Sequence, residues 1–220
     1  MDAWAARSHQ RAIAAIDAGK FVDEIIPLKV ELPDGSVIDF SVDEFPRRDT
    51  TVEKLAGLKV LHPEIEGFSI TAGNSSGTND AAAGVALVES DYAAANGLNV
   101  MATVKAWASA GVTPRDCGLG ALKAISKVLD RGGLTASDVA LWEINEAFAS
   151  VPIAACKEFG LDEELVNFSG SGCSLGHPIA ASGARMVTTL IYELQRRGGG
   201  IGVAAMCAGG GQGGAVVVEV

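Results

Sequence analysis

The chain has 220 residues, 48% of them hydrophobic, and a formal net charge of −10. That supplies apolar material for one large core or two small ones and excludes a disordered chain, while the charge argues against nucleic acid or an anionic membrane as partner. No stretch approaches the ~18 uninterrupted apolar residues of a membrane helix, and Asp2 and polar neighbours stand where an export signal would be apolar; a cytoplasmic protein is expected.

In chain order, residues 1–20 carry apolar and small side chains at helical spacing, with Gly19 as a natural stop. Glu24–Val30 and Val37–Phe40 read as strands around the turn L-P-D-G-S. Phe45–Asp49 (F-P-R-R-D) is a loop and Thr51–Leu58 a short helix. Arg47 and Arg48 form the best local basic pair for a phosphate, which the planar guanidinium fork suits; the competing reading is two solvated surface arginines. His9 and His62 sit beside no motif and read as structural or surface residues. Thr71–Asp80 is dense in small polar residues and is predicted to open, through Asn79 and Asp80 as caps, into a helix over A-A-A-G-V-A-L-V-E-S.

From Leu98 onward strands and helices alternate: Val100–Trp107, Gly120–Arg131, Val139–Ile144, Ala147–Phe159, Leu165–Phe168, His177–Arg197, Gly202–Met206 and Ala215–Val220. Such alternation is the mark of an α/β unit. The cysteines at 117, 156, 173 and 207 include no C-x-x-C pair and no zinc spacing, so neither a disulfide framework nor a metal is expected.

Three loops at strand ends carry the chemistry. Asn145–Ala149 (N-E-A-F-A) follows V-A-L-W-E-I, so its polar groups face a crevice. Phe168–Arg185 (F-S-G-S-G-C-S-L-G-H-P-I-A-A-S-G-A-R) sets His177 before a proline at a helix start, behind glycines that admit close backbone approach. Cys207–Gly213 (C-A-G-G-G-Q-G) puts a thiol on a glycine bend between two strands, whose free N–H groups are expected to favour its thiolate.

Together, N-E-A-F-A, G-H-P and C-A-G-G-G-Q-G resemble the C-terminal half of thiolases. The similarity continues back through R-S-H-Q-R-A and T-A-G-N-S-S-G-T-N-D and covers essentially the whole chain. It implies a layered αβαβα fold. Residues 1–73 would be the rest of the loop domain that covers coenzyme A, 74–96 a helix completing the N-terminal domain of a partner chain, and 97–220 a βαβαβαββ C-terminal domain. It also implies roles. Cys207 would be the acid/base, and His177 the activator of a nucleophilic cysteine and an oxyanion donor. Asn145 would hold a water in the first oxyanion hole, and Gly209 would donate its N–H to the second. Ser76 would contact the pantetheine, and Arg47 and Arg48 the phosphates. Glu146 would orient its neighbours rather than act as the base.

A Cys173–His177 dyad is rejected, because the resemblance makes Cys173 part of the glycine turn; Cys117 and Cys156 read as packing residues. The sequence departs from the family at Ala180, where glycine is common, and at S-G-S-G-C-S, which puts acyl preference in doubt. The larger departure is the absent nucleophile. The resemblance therefore implies one subunit of a two-chain thiolase, with an N-terminal-half partner, two copies of each chain in a heterotetramer, acyl-CoA as substrate and no tightly bound cofactor. A non-catalytic coenzyme A-binding subunit and a piece of a full-length enzyme are the alternatives.

Overall fold

A computed structural model describes residues 1–220. The first part of the chain holds α1 (Asp2–Asp17), the hairpin β1 (Leu28–Glu31) and β2 (Val37–Phe40), α2 (Val52–Ala56) and α3 (Ser90–Ala95). The second holds β3 (Thr103–Gly111), α4 (Leu119–Gly132), β4 (Leu141–Ile144), α5 (Ser150–Phe159), α6 (Gly172–Leu175), α7 (Ser182–Arg196), β5 (Ile201–Ala208) and β6 (Gln212–Glu219). Both α4 and α5 stop at a glycine in the left-handed region, Gly133 and Gly160, where a side chain would be strained.

The four-stranded sheet has the order β3-β6-β5-β4, with β4 and β5 parallel and the other pairs antiparallel. Side-chain alternation along the strands divides the core in two. Trp142, Ile144, Val203, Ala205, Cys207 and Val217 turn to the face covered by α4. Leu141, Ala204 and Val218 turn to the opposite face, against Met186, Leu190 and Leu194 of α7. The helix α1 belongs to the larger core through Trp4, Ala5 and Ala6. Lys20, just past α1, reaches the buried Glu193 carboxylate of α7 at 3.2 Å and ties the two helices together.

Two regions lack the packing that the sequence patterning calls for. The helix expected over 81–90 is not formed: only Ser90–Ala95 is helical, capped by the Glu89 carboxylate on Tyr92 N–H at 3.0 Å. Residues 80–88 make no hydrogen bond, and Val85, Leu87 and Val88 are 46%, 78% and 49% exposed. A short alanine-rich run cannot pay the nucleation cost of a helix without a surface to pack on, and nothing in this chain lies over it. Beside α7, the sheet face also carries an open apolar groove of about 300 Å³ lined by Ala108, Gly183, Met186, Met206, Ala215 and Val216.

Elsewhere one expected strand is missing and the other differences are at element ends. The strand expected at 165–168 is reduced to a bridge between Val166 and Trp142, and the helix expected from His177 begins at Ser182 because 177–181 form the turn that holds the histidine. No helix is long and apolar enough to cross a membrane.

Candidate active site

The parallel pairing of β4 and β5 brings their carboxyl ends together, the position at which open α/β sheets bind ligands. Asn145, just past β4, donates its N–H to Ala205 O at 2.9 Å, two residues before Cys207. Its side chain is fully buried, yet neither Oδ1 nor Nδ2 has a partner. A buried amide left unpaired costs about 1–3 kcal/mol per group, so this one is built to meet a water or a substrate atom. Gly172 makes the approach possible, since a Cβ there would sit 2.6 Å from Glu146 O and 3.1 Å from Asn145 Oδ1.

Glu146 is the anchor of the site. Its wholly buried carboxylate accepts from Trp4 Nε1 at 2.7 Å, Ser8 Oγ at 2.6 Å, Asn167 Nδ2 at 2.8 Å and Cys173 N–H at 3.0 Å. Four donors from α1, the 167 bend and α6 converge on one side chain and leave no lone pair for a reacting proton. Glu146 thus ties α1, the 167 bend and α6 to the end of β4.

His177 leaves the glycine turn at Gly176, whose φ of 92° suits glycine alone. Its N–H donates to Asn79 Oδ1 at 3.2 Å. The ring Nδ1 lies 2.6 Å from Ser182 Oγ, and that hydroxyl donates to Pro178 O at 3.1 Å. With the hydroxyl proton committed, the ring donates through Nδ1 and Nε2 keeps its lone pair. Burial, then the nearby Arg185, holds the pKa of His177 below its usual value, which keeps the imidazole neutral and ready to accept a proton.

Cys207 closes β5 and is 7% exposed. The expectation that glycine-rich surroundings would favour its thiolate is corrected here. Burial, followed by the neighbouring Cys117 thiol, raises its pKa, so it rests as a protonated thiol. The glycine bend does leave Gly209 N–H without a hydrogen-bond partner and with open space around its Cα.

Of the other sequence-derived candidates, Ser76 is joined to the site: its N–H donates to Ala147 O at 3.0 Å, and Ser75 bridges Phe148. Arg48 is committed to a surface ion pair with Asp17 at 2.6 Å and 2.8 Å. Arg47 lies over the Phe45 ring, 5.9 Å from its centroid, and its N–H donates to His9 Nδ1 at 3.1 Å. His9 is buried and structural, while His62 is exposed and faces Glu64. Cys173 is 1% exposed, and burial beside Glu146 drives its pKa far up, so it makes no dyad with His177. Burial pushes Cys156 up to about 11. No three His, Cys, Asp or Glu side chains are grouped to hold a metal ion.

Sequence reasoning missed two contributors to the site and one neighbour of it. Asn79 was read as a helix cap but holds the His177 backbone. Ser182, given no role in the sequence analysis, fixes the imidazole. Cys117 was read as packing but its thiol sits at the end of β5, donating to Ala208 O at 3.0 Å. Only Ser182 carried a signal, as a hydroxyl in the first turn after G-H-P.

The family profile described as the thiolase C-terminal domain matches residues 98–220, and that of the thiolase N-terminal domain matches residues 1–91. The chain belongs to the thiolase family. The acetyl-CoA acetyltransferase of Pseudomonas aeruginosa is 47% identical over 212 residues, 96% of this chain and 53% of that protein. That of Escherichia coli is 43% identical over 218 residues, 99% of this chain and 55% of the relative. The thiolase fold is seen equally in solved structures. The Bacillus anthracis acetyl-CoA acetyltransferase superposes with a TM-score of 0.92 at 43% identity, covering 99% of this chain and 55% of that one. Human mitochondrial 3-ketoacyl-CoA thiolase in complex with CoA gives 0.89 at 36% identity, covering 99% and 53%. This thiolase chain thus spans about half the length of the curated relatives it matches.

Proposed function

We propose that this chain is the acid/base half of a two-chain thiolase that moves acyl groups between coenzyme A and a carbon or sulfur acceptor. The observation that carries the reading is the buried, unpartnered amide of Asn145, whose backbone pairs two residues before Cys207 where β4 and β5 end, with a neutral His177 held by Ser182 and Asn79 on the adjoining turn. In this reading His177 Nε2 takes the proton of a nucleophilic thiol supplied from outside these residues, then donates to the thioester oxygen together with a water held by Asn145. Cys207 exchanges a proton with the α-carbon of the acetyl group or with the departing thiol, and Gly209 N–H supports the second oxyanion. Donors fixed before the reaction are worth about 3 kcal/mol each.

A nucleophile from a partner is favoured because burial raises the thiols of Cys156 and Cys173, and none of the four cysteines is hydrogen-bonded to His177, whose partners are Asn79 and Ser182. A partner surface is favoured by the unbonded 80–88 run and the open groove beside α7. Ser76 and Arg47 are proposed to hold the pantetheine and a phosphate; Arg48, already paired with Asp17, contributes less than its neighbour. Residues 1–73 and 97–220 are proposed as the coenzyme A-covering and C-terminal units, with 74–96 completing the partner's domain in a heterotetramer. The test is reconstitution with an N-terminal-half thiolase chain and assay of 3-ketoacyl-CoA cleavage. Activity in the pair, none in either chain alone, and its loss in Cys207→Ala are expected. Full activity of the Cys207→Ala pair would overturn the acid/base assignment.

A further inference from the structure

The second thiol at the end of β5 has no place in the chemistry above, and the backbone is built to put it there. The N-terminal turn of α4 lies directly on the β5–β6 hairpin with no side chain between: a Cβ on Gly120 would overlap Gln212 O, and one on Gly213 would overlap Gly120 O. Gly213 is the register partner of Cys207. Alternation along β5 turns Cys207 to the same face as Val203 and Ala205, which is the face that α4 covers. Cys117, just before α4, therefore hangs over the strand end, where its thiol donates to Ala208 O at 3.0 Å, the carbonyl next in the chain after Cys207. Cys117 is partly exposed, whereas Cys207, Cys156 and Cys173 are buried.

We propose that Cys117 and Cys207 form a dithiol modification site that takes low-molecular-weight disulfides and closes reversibly to an intramolecular disulfide. The accessible Cys117 thiolate attacks one sulfur of the small disulfide, whose S–S bond breaks, releasing one small thiol and leaving a mixed disulfide on Cys117. The Cys207 sulfur, after losing its proton, attacks Cys117 Sγ and expels the second small thiol. Two cysteine thiols are oxidised and one small disulfide is reduced to two thiols, so protons and electrons balance; excess small thiol reverses both steps. Closure removes the thiol that the proposed reaction needs as its acid/base. This regulatory consequence rests on the functional reading, whereas the dithiol chemistry does not.

The experiment incubates the full chain with oxidised glutathione, quenches in acid, alkylates free thiols and maps peptides without reduction. A linked peptide pair joining 117 to 207 is expected, reversed by dithiothreitol, absent in Cys117→Ser and retained in Cys156→Ser. In Cys117→Ser, Cys207 stays alkylatable after oxidant. Glutathione resting on Cys117 with no 117–207 link at any oxidant ratio, or a link from Cys117 to 156 or 173, would overturn the proposal. In the reconstituted pair, oxidised with acyl-CoA present to mask the partner's nucleophile, acyl transfer should be lost for wild type and largely kept for Cys117→Ser. A link that forms while transfer continues would leave the dithiol standing and remove Cys207 from the mechanism.

Discussion

Replacing Glu146 by glutamine keeps volume and shape but changes what one oxygen can do. The amide oxygen can still accept from Trp4 Nε1 and Asn167 Nδ2, which share Oε1 at 2.7 Å and 2.8 Å. The new NH₂ then stands where Oε2 accepted from Ser8 Oγ and Cys173 N–H. The serine hydroxyl can rotate to accept instead. The peptide N–H cannot, and a buried donor left facing another donor costs about 1–3 kcal/mol. The two surviving bonds also lose their charge assistance, roughly 0.5–1 kcal/mol each. The sum is about 3 kcal/mol, which for a chain of this size lowers the melting temperature by roughly 6–12 °C. Scanning calorimetry of Glu146→Gln beside wild type, in whichever assembly purifies, measures it. A shift of less than about 2 °C would mean that the four bonds do not anchor α1 to the site, and the description of Glu146 as the hub would fail.

Asn145→Ala in the reconstituted pair should lower kcat by about 10²–10³ with little change in KM, and steady-state kinetics in which only KM moves would return Asn145 to a binding role. Arg47→Glu should raise KM for acyl-CoA with kcat unchanged, and Arg48→Glu should raise it less; equal effects would mean that the Asp17 pair does not hold Arg48 back. Burial, then Arg47, lowers the His9 pKa from the usual 6.5 to about 4. The unfolded chain thus binds more protons between those values, and this contribution to stability, present above 6.5, is lost as pH falls towards 4. Denaturant titrations at several pH values should show a weaker acid dependence for His9→Asn than for wild type, and parallel curves would count against the buried neutral ring. Gly213→Ala should abolish the native melting transition, because the added methyl meets backbone at Gly120 and not a movable side chain; an intact cooperative melt would show that α4 can lift off the hairpin.

Much of the second half of the chain was legible in the sequence. Alternating strand and helix patterns gave β3, α4, β4, α5, α7, β5 and β6 within a few residues of their ends, since each is held in this chain, β3 by its pairing with β6 although Val104 and Trp107 stay exposed and the others by burying an apolar face. The helix expected at 81–90 failed for the converse reason. Alanine favours helix locally, but nothing here covers Val85, Leu87 or Val88, and propensity alone does not hold so short a run. At the candidate site, the motifs singled out Asn145, His177 and Cys207 because their loops are compositionally odd. They did not locate Asn79, whose link to His177 spans 98 positions, or Cys117, brought to Cys207 by a glycine-on-glycine contact that no local pattern encodes. The acid form of Cys207 was also hidden, because burial is set by α4 and not by the glycines beside it.

The bare main chain of residues 80–88 bears on what happens to a copy that meets no partner. An unbonded, apolar, accessible segment is what a protease cleft binds and what a holdase chaperone recognises, and neither has to wait for global unfolding to reach it. In the proposed two-chain enzyme, surplus copies would be cleared from this point inward while covered copies persist, so the amount of this polypeptide would follow the supply of the proposed partner and not its own rate of synthesis.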